Sequence, residues 1–186
     1  SDSLRSGLIL PFGNEKKYFN QEDADSLGTH YDPVMAKKIL TDAGYQSKYD
    51  EKGNLLEMRG PDGAVIPTLY IKSPVGWSDW EAIVKIAVNS MRESGIDVRQ
   101  KFIDAGIYYT DRPLGEFDII LDNPSPENTP SKPWSRFETI LSSREWKPAG
   151  EKMNRNHGRY KNPAVDSLLE AIPLLKTEAE MRVLYR

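Results

Sequence analysis

The chain has 186 residues, a net charge of −3, and intermixed acidic and basic side chains, 28 Asp and Glu against 25 Lys and Arg. This balance, without a long Lys/Arg run, argues against nucleic acid as a partner. The absence of cysteine excludes disulfides, thiolate metal sites and a cysteine nucleophile. No apolar run approaches the length that crosses a membrane, and a mean hydropathy of −0.60 is typical of one polar domain, with or without an appendage.

Residues 1–30 have weak periodicity and several Gly, Asn and Asp residues, which predicts an irregular lead-in, most simply a surface linker. Residues 31–45 then predict an amphipathic helix. Asp32 is its N-cap, Pro33 occupies the first helical position and Gly44 ends it. Helical spacing places four apolar side chains on one face, which we expect to be buried: Ala36, Ile39, Leu40 and Ala43.

A hairpin and a βαβ unit follow. Residues 55–59 and 64–71 flank a Pro-Asp-Gly turn, and Pro67 indicates an edge or a bulge at the start of the second strand. Residues 64–72, 79–94 and 96–103 have the patterns of a strand, a helix and a strand. Such a unit crosses over right-handed and gives a parallel strand pair.

The turn inside this βαβ unit is the first candidate binding site. Gly76 and Trp77 lie in the turn, and Ser78 with Glu81 predicts a capping box at the helix start. Asp79 in the first helical turn suits the helix dipole. We expect Trp80 to be core, whereas core packing and ligand contact remain equal alternatives for Trp77.

The second candidate site is the long loop at residues 122–134, which holds four prolines and follows a short buried strand at residues 117–121. If that strand is parallel to its neighbours, both loops leave the same sheet edge. One side of a cleft would then hold Trp77, Asp122, Asn123 and Trp134. The simpler alternative is a loop that covers a sheet edge. Residues 105–115 read as a polar connection that contributes Tyr109 to the candidate site.

No catalytic set can be assembled from the sequence. The two histidines are far apart, no glycine-rich phosphate loop follows a strand, and there is no Gly-x-Ser-x-Gly motif. We therefore expect a binding protein and not an enzyme, with no metal and no cofactor. The chain starts without methionine and ends within a helical pattern, so we expect a piece of a longer protein.

Four segments in order give the chain a family resemblance. It is similar to the second lobe of the extracellular solute-binding proteins of the peptide/oligosaccharide class, family 5, which deliver ligands to ABC importers. The segments are Tyr31-Asp32-Pro33 through Ala43-Gly44-Tyr45, Glu93-Ser94-Gly95-Ile96-Asp97-Val98, Gly115-Glu116-Phe117-Asp118-Ile119, and Tyr160 through Leu169. The resemblance covers most of the chain from residue 31 onward.

The resemblance implies an α/β fold, one lobe of a type II periplasmic-binding-protein fold with a mixed sheet and flanking helices. Residues 31–186 would form this single lobe, truncated at its end, and residues 1–30 would lead in from the hinge side. The partners implied are the membrane permease and a first lobe missing from this chain. The location implied is extracellular or periplasmic, with the parent protein secreted or lipid-anchored.

The resemblance does not imply a single class of ligand. Residues 76–80 are similar to a stretch in members that take up cello-oligosaccharides, and indole faces suit pyranose rings. Peptide-binding members often carry Gly-Trp and an acidic residue after the Phe-Asp strand, and the acidic residue meets the amino terminus of the peptide. This chain has Leu121-Asp122-Asn123-Pro124 at that place. Asp122 would be the substitute anchor for the amino group. We expect an oligosaccharide ligand, with a peptide as the alternative and a carbohydrate-active enzyme as a distant third.

Overall fold

The computed structural model describes residues 9, 11, 13–27, 31–123 and 133–185, and these form an α/β fold, as predicted. The α-helices are α1 (Gln21–Leu27), α2 (Pro33–Asp42), α3 (Ser78–Glu93), α4 (Ala105–Leu114), α5 (Pro133–Leu141), α6 (Pro163–Ala171) and α7 (Glu178–Leu184). The strands are β1 (Gln46–Tyr49), β2 (Leu55–Arg59), β3 (Val65–Ile66), β4 (Leu69–Pro74), β5 (Val98–Ile103) and β6 (Ile119–Ile120). No helix among these residues is both long and apolar enough to cross a membrane.

The chain divides into two compact units. The sheet unit comprises residues 31–112 and 116–122, and the helical unit comprises the described residues within 1–30, 113–115 and 123–186. One limit of the sheet unit coincides with the expected start of the lobe at residue 31. The division into a lead-in and a single lobe stays a prediction, since a compact unit need not correspond to a whole lobe.

Two three-stranded sheets form the sheet unit, one antiparallel in the order β1-β2-β3 and one parallel in the order β5-β4-β6. The predicted hairpin is present, with Met58 opposite Ile66. Pro67 interrupts the second predicted strand more completely than expected, because proline has no N–H to donate to a ladder. The residues before it join the antiparallel sheet, whereas the strand from Leu69 onward joins the parallel one.

The predicted βαβ unit is confirmed. Strands β4 and β5 are parallel, with Leu69 opposite Val98 and Pro74 opposite Ile103, and α3 connects them. Strand β6 pairs in parallel on the other side of β4. The core between sheet and helix is apolar and buried, and consists of Ile71, Val84, Val88 and Val98. This core fixes the sheet edge from which the βα loops emerge.

Two helices differ from expectation. The Asp32 side chain caps α2 by accepting from the Met35 N–H at 2.8 Å, as predicted. Yet no residue of α2 is buried, and Ile39 is 60% exposed, because helical spacing aligns apolar side chains without supplying a surface to cover them. Residues 105–114, expected as a connection, form α4, whose start is fixed by Asp104 Oδ1 accepting from the Gly106 N–H at 2.7 Å.

The helical unit has its own apolar core, which consists of Ile9, Tyr18, Phe137 and Leu169. Residues 9, 11 and 13–27 thus contribute buried side chains and the helix α1, and differ from the surface linker that composition favoured. The N-cap Asn162 of α6 and the capping box of Thr177 and Glu180 at α7 are formed. Between α5 and α6 the chain is irregular, but the buried Asn156 amide holds it by donating to two backbone carbonyls.

Candidate functional site

The candidate site lies at the carboxyl edge of the parallel sheet. Strand β4 leads into the turn that carries Trp77, β5 leads into Asp104 and α4, and β6 leads into Asp122. Because the three strands are parallel, these exits lie at one edge of the sheet. In open α/β sheets this edge is where ligands bind.

The turn between β4 and α3 is built differently from the predicted capping box. Gly76 has a φ of +83°, a backbone conformation that glycine adopts without strain. The helix begins at Ser78 with Trp77 as its N-cap, and no side chain caps it. The capping-box prediction was wrong by one position, since Ser78 lies inside the first turn. Glu81 Oε1 instead accepts from the Gly76 N–H at 2.8 Å and braces the turn.

Four aromatic rings form a continuous series, the aromatic row, which consists of Trp77, Trp80, Tyr108 and Tyr109. Successive ring centroids are 4.9, 6.1 and 5.3 Å apart with interplanar angles of 81°, 79° and 80°. These are edge-to-face contacts, the geometry that aromatic quadrupoles favour. Trp80, expected in the core, is partly buried between its two neighbours in the row.

The two ends of the aromatic row differ from its middle. Tyr108 is 1% exposed, so it serves as a fixed support, whereas Tyr109 at one end is 52% exposed. Trp77 at the other end is partly buried and rests edge-to-face on Trp80. Ser78 and Asp79 beside it are exposed. The row can therefore offer aromatic surface at both ends while its interior holds the rings in place.

Asp122 is joined to this row through hydrogen bonds. Its Oδ1 accepts from Arg112 Nη1 at 2.9 Å. The Tyr108 hydroxyl shares its single proton between the Leu121 carbonyl at 2.9 Å and Asp122 Oδ1 at 3.2 Å. The Arg112 guanidinium lies 5.7 Å from the Tyr108 ring centroid and 5.4 Å from that of Tyr109. Sequence reasoning missed Arg112 because α4 was not predicted. The i, i+4 spacing of Tyr108 and Arg112 on a helix was the available signal.

The pKa shifts of Tyr108 and Arg112 agree with these contacts. Burial raises the pKa of Tyr108 well above its ordinary value, and the Asp122 carboxylate raises it further. Burial lowers the pKa of Arg112, but the Asp122 carboxylate more than offsets this, so that the net shift in pKa is upward. Tyr108 therefore stays neutral and Arg112 stays charged at any physiological pH.

The remaining predicted residues belong to the helical unit. Trp134 lies in α5, packs against that unit's apolar core and donates its indole N–H to the Leu169 carbonyl at 2.7 Å. Asn123 is exposed directly after Asp122. Residues 124–132 of the proline-rich loop lie outside the described residues. A shared cleft side with Trp77, Asp122, Asn123 and Trp134 thus stays a prediction.

No metal site is evident in the described part of the chain, where no three or more His, Asp or Glu side chains cluster in a way that could hold an ion. The chemistry available at the sheet edge is aromatic stacking, hydrogen bonding and ion pairing. These groups suit the binding of an organic ligand.

Comparison with known proteins decides the family. A sequence profile of the bacterial extracellular solute-binding proteins, family 5 Middle, matches residues 8–148, which is more than half of the chain. The chain belongs to this family. Family 5 proteins are transport-associated binding proteins that work outside the cytoplasm and serve ABC importers. A search among curated proteins found no match.

Solved structures support the same assignment. One is the periplasmic oligopeptide-binding protein of an ABC transporter from Thermotoga maritima, solved with bound mannohexaose. It is 30% identical in sequence, and the match has a TM-score of 0.81 and covers 95% of this chain and 32% of that protein. AppA from Bacillus subtilis, solved with a nonapeptide, is 19% identical with a TM-score of 0.58, and the match covers 90% of this chain and 28% of AppA. MelB from Agrobacterium fabrum, solved with stachyose, is 16% identical with a TM-score of 0.60, and the match covers 83% of this chain and 23% of MelB. The last two likenesses show the fold alone.

This chain spans about a third of the length of the Thermotoga maritima protein. The family membership applies to the chain itself, whereas ligand and transport partner are properties of the whole solute-binding protein.

Proposed function

We propose that this chain is the ligand-binding lobe of a solute-binding protein that delivers an oligosaccharide, of the cello-oligosaccharide type, to an ABC importer. The observation that carries the proposal is the aromatic row, which ends in aromatic side chains, Trp77 and Tyr109, at the carboxyl edge of the parallel sheet. A sugar-binding site needs aromatic surface and polar groups beside it, and both are present here.

Pyranose rings have apolar C–H faces and a rim of hydroxyl groups. Aromatic side chains can cover the faces, while a few well-placed polar groups fix the hydroxyls. Ser78 and Asp79 supply exposed polar side chains beside Trp77. The Thermotoga maritima protein, named for oligopeptides, was solved with mannohexaose bound, which supports an oligosaccharide as a ligand of this family.

A peptide ligand is the alternative, and one observation favours it. Asp122 follows β6 at the same sheet edge as the aromatic row, and its side chain is 24% exposed. A carboxylate there has the charge needed to hold a peptide amino terminus. AppA, which shares the fold, was solved with a nonapeptide.

A titration separates the two ligand classes. The full-length protein is titrated with cello-oligosaccharides and, separately, with di- to pentapeptides, while tryptophan fluorescence is followed. We expect saturable changes with the sugars, because Trp77 would stack on the ligand. A response to peptides without any response to sugars would overturn the proposal in favour of the alternative. Turnover of either ligand, lost on mutating one carboxylate, would indicate an enzyme.

A further inference from the structure

The electrostatic state of Asp122 bears on which ligands the sheet edge accepts. A lone carboxylate at a binding edge attracts a ligand ammonium group. Asp122 is not in that state, since its Oδ1 already accepts from Arg112 Nη1 at 2.9 Å and from the Tyr108 hydroxyl at 3.2 Å. An incoming amino terminus would therefore meet an acid whose charge is compensated.

Arg112 is also held firmly in place. It lies near the end of α4, on the same face as Tyr108 four residues earlier, and its guanidinium lies over the rings of both Tyr108 and Tyr109. Cation–π contact with two rings adds to the ion pair with Asp122. The side chains of Arg112 and Asp122 are each 24% exposed, so water screens this pair less than it screens one on the open surface.

We propose that Arg112 is a specificity-determining residue, which neutralises Asp122 and makes the Asp122 end of this edge select neutral ligands over ligands with a free amino terminus. The inference rests on the proposed function, because it assumes that the ligand occupies the edge beside the aromatic row. Arg112 acts here through Asp122 and through its own positive charge. Removing that charge therefore turns Asp122 into an anchor for ammonium groups.

Two physical effects favour the existing pair over a ligand ammonium group. A bound ligand excludes water, so displacing Arg112 from Asp122 would leave a guanidinium without its counter-charge in a drier site, which is costly. If Arg112 stays in place, its charge repels the ammonium group. A neutral sugar hydroxyl meets neither penalty, since it carries no charge and does not need to displace Arg112.

The test compares ligands that differ only in the amino terminus. The full-length protein and its variants are titrated calorimetrically with one tetrapeptide, with the same tetrapeptide N-acetylated, and with a cello-oligosaccharide. The variants are Arg112→Met, Arg112→Gln, Arg112→Lys and the double variant Arg112→Met/Asp122→Asn. Arg112→Gln provides a second neutral variant whose amide can still donate to Asp122. Thermal unfolding checks that each variant folds.

We expect the unsubstituted protein to bind the acetylated peptide at least as tightly as the peptide with the free amino terminus. In Arg112→Met and Arg112→Gln the free peptide should bind on the order of ten-fold more tightly than the acetylated one, equivalent to one pKa unit of charge interaction. Arg112→Lys keeps the positive charge and should behave like the unsubstituted protein. The double variant should lose the new preference, because Asp122 no longer carries a charge.

The proposal is overturned if the Arg112→Met and Arg112→Gln proteins fold but do not prefer the peptide with the free amino terminus. The same holds if these folded variants bind no peptide. A ten-fold preference already present in the unsubstituted protein would also overturn it. The proposed function fails separately, if the cello-oligosaccharide does not bind the unsubstituted protein. The charge test remains decisive then, since it uses the ratio of two peptides and not the sugar.

Discussion

Each of the two units contains an arginine that is paired with a carboxylate and lies over an aromatic ring, and the two pairs differ in burial. In the helical unit, Arg136 binds Glu15 through two bonds of 2.6 Å each, and Glu15 is 0% exposed. In the sheet unit, Arg112 donates to Asp122 at 2.9 Å, and both side chains are 24% exposed. The same kind of ion pair is thus found in a closed core and at an open sheet edge.

The difference separates a structural pair from one available for binding. A carboxylate buried with no exposed surface can meet no ligand, so the Glu15–Arg136 pair can only hold its own unit together. The aromatic surroundings reinforce this, since Tyr18 and Tyr185 pack with ring centroids 5.1 Å apart and Phe137 lies on the other side of Tyr185. At the sheet edge, by contrast, Tyr109 remains 52% exposed.

The largest expected effect is on stability in the helical unit. Glu15→Gln removes the counter-charge of Arg136 in a buried site, and breaking such a pair costs about 3–5 kcal/mol. The matched variant Asp122→Asn should cost about 1 kcal/mol or less, because its pair is part-exposed. Urea unfolding followed by circular dichroism measures both. An equal loss of unfolding free energy in the two variants would contradict the distinction between a structural pair and a pair available for binding.

The next effect is on ligand affinity at the sheet edge. Trp77→Ala should weaken oligosaccharide binding by about 1–3 kcal/mol, by analogy with stacking of nucleobases on aromatic side chains. Trp146→Ala is the matched control, since Trp146 is 37% exposed but lies in the helical unit with Lys161 over its ring. Calorimetric titration of the full-length variants measures both. An unchanged affinity in Trp77→Ala would assign Trp77 a packing role alone.

A smaller effect is expected inside the aromatic row. Tyr108→Phe keeps the ring contacts but removes the hydroxyl that bonds to the Leu121 carbonyl and Asp122. The free energy of unfolding should fall by about 1 kcal/mol, because a partly buried carbonyl loses its donor. Urea unfolding provides the measurement. A more stable variant would mean that the hydroxyl contributes nothing to holding Asp122.

The smallest effect at neutral pH concerns Tyr185. Burial, followed by the influence of Tyr18, raises the pKa of Tyr185 to about 12 from an ordinary value of 10.0. The protonated form is thus favoured in the folded state, so its stabilisation is complete below pH 10 and is lost as pH rises through about 12. Tyr185→Phe should flatten the fall in stability over this window. Unfolding midpoints between pH 8 and 12 test it, and identical curves would contradict it.

The parts of the fold that sequence predicts best are those fixed by local chemistry. Asp32, Asn162 and the Thr177–Glu180 box mark helix starts because a short polar side chain can bond the first free N–H groups. The βαβ unit follows from a change in apolar period along the chain. In both cases the signal lies within a few residues.

The elements that sequence misses depend on tertiary contact. Helix α4 has a Gly, Tyr and Thr composition of low helix propensity, and packing of Tyr108 in the core stabilises it instead. The burial of Glu15 required knowing that Arg136, 121 residues later, lies beside it. At the candidate site, Trp77, Tyr109 and Asp122 were identifiable, but Arg112 became visible only with α4.

The most direct test of the central claim uses the indole N–H resonances of the four tryptophans in a ¹H–¹⁵N spectrum, assigned by single Trp→Phe variants. Trp134 and Trp146 donate their indole N–H groups to the Leu169 and Arg159 carbonyls within the helical unit. On adding a cello-oligosaccharide, the Trp77 resonance should shift in a saturable manner while that of Trp146 stays in place. A shift at Trp146 with none at Trp77 would contradict the assignment of the sheet edge as the sugar-binding site.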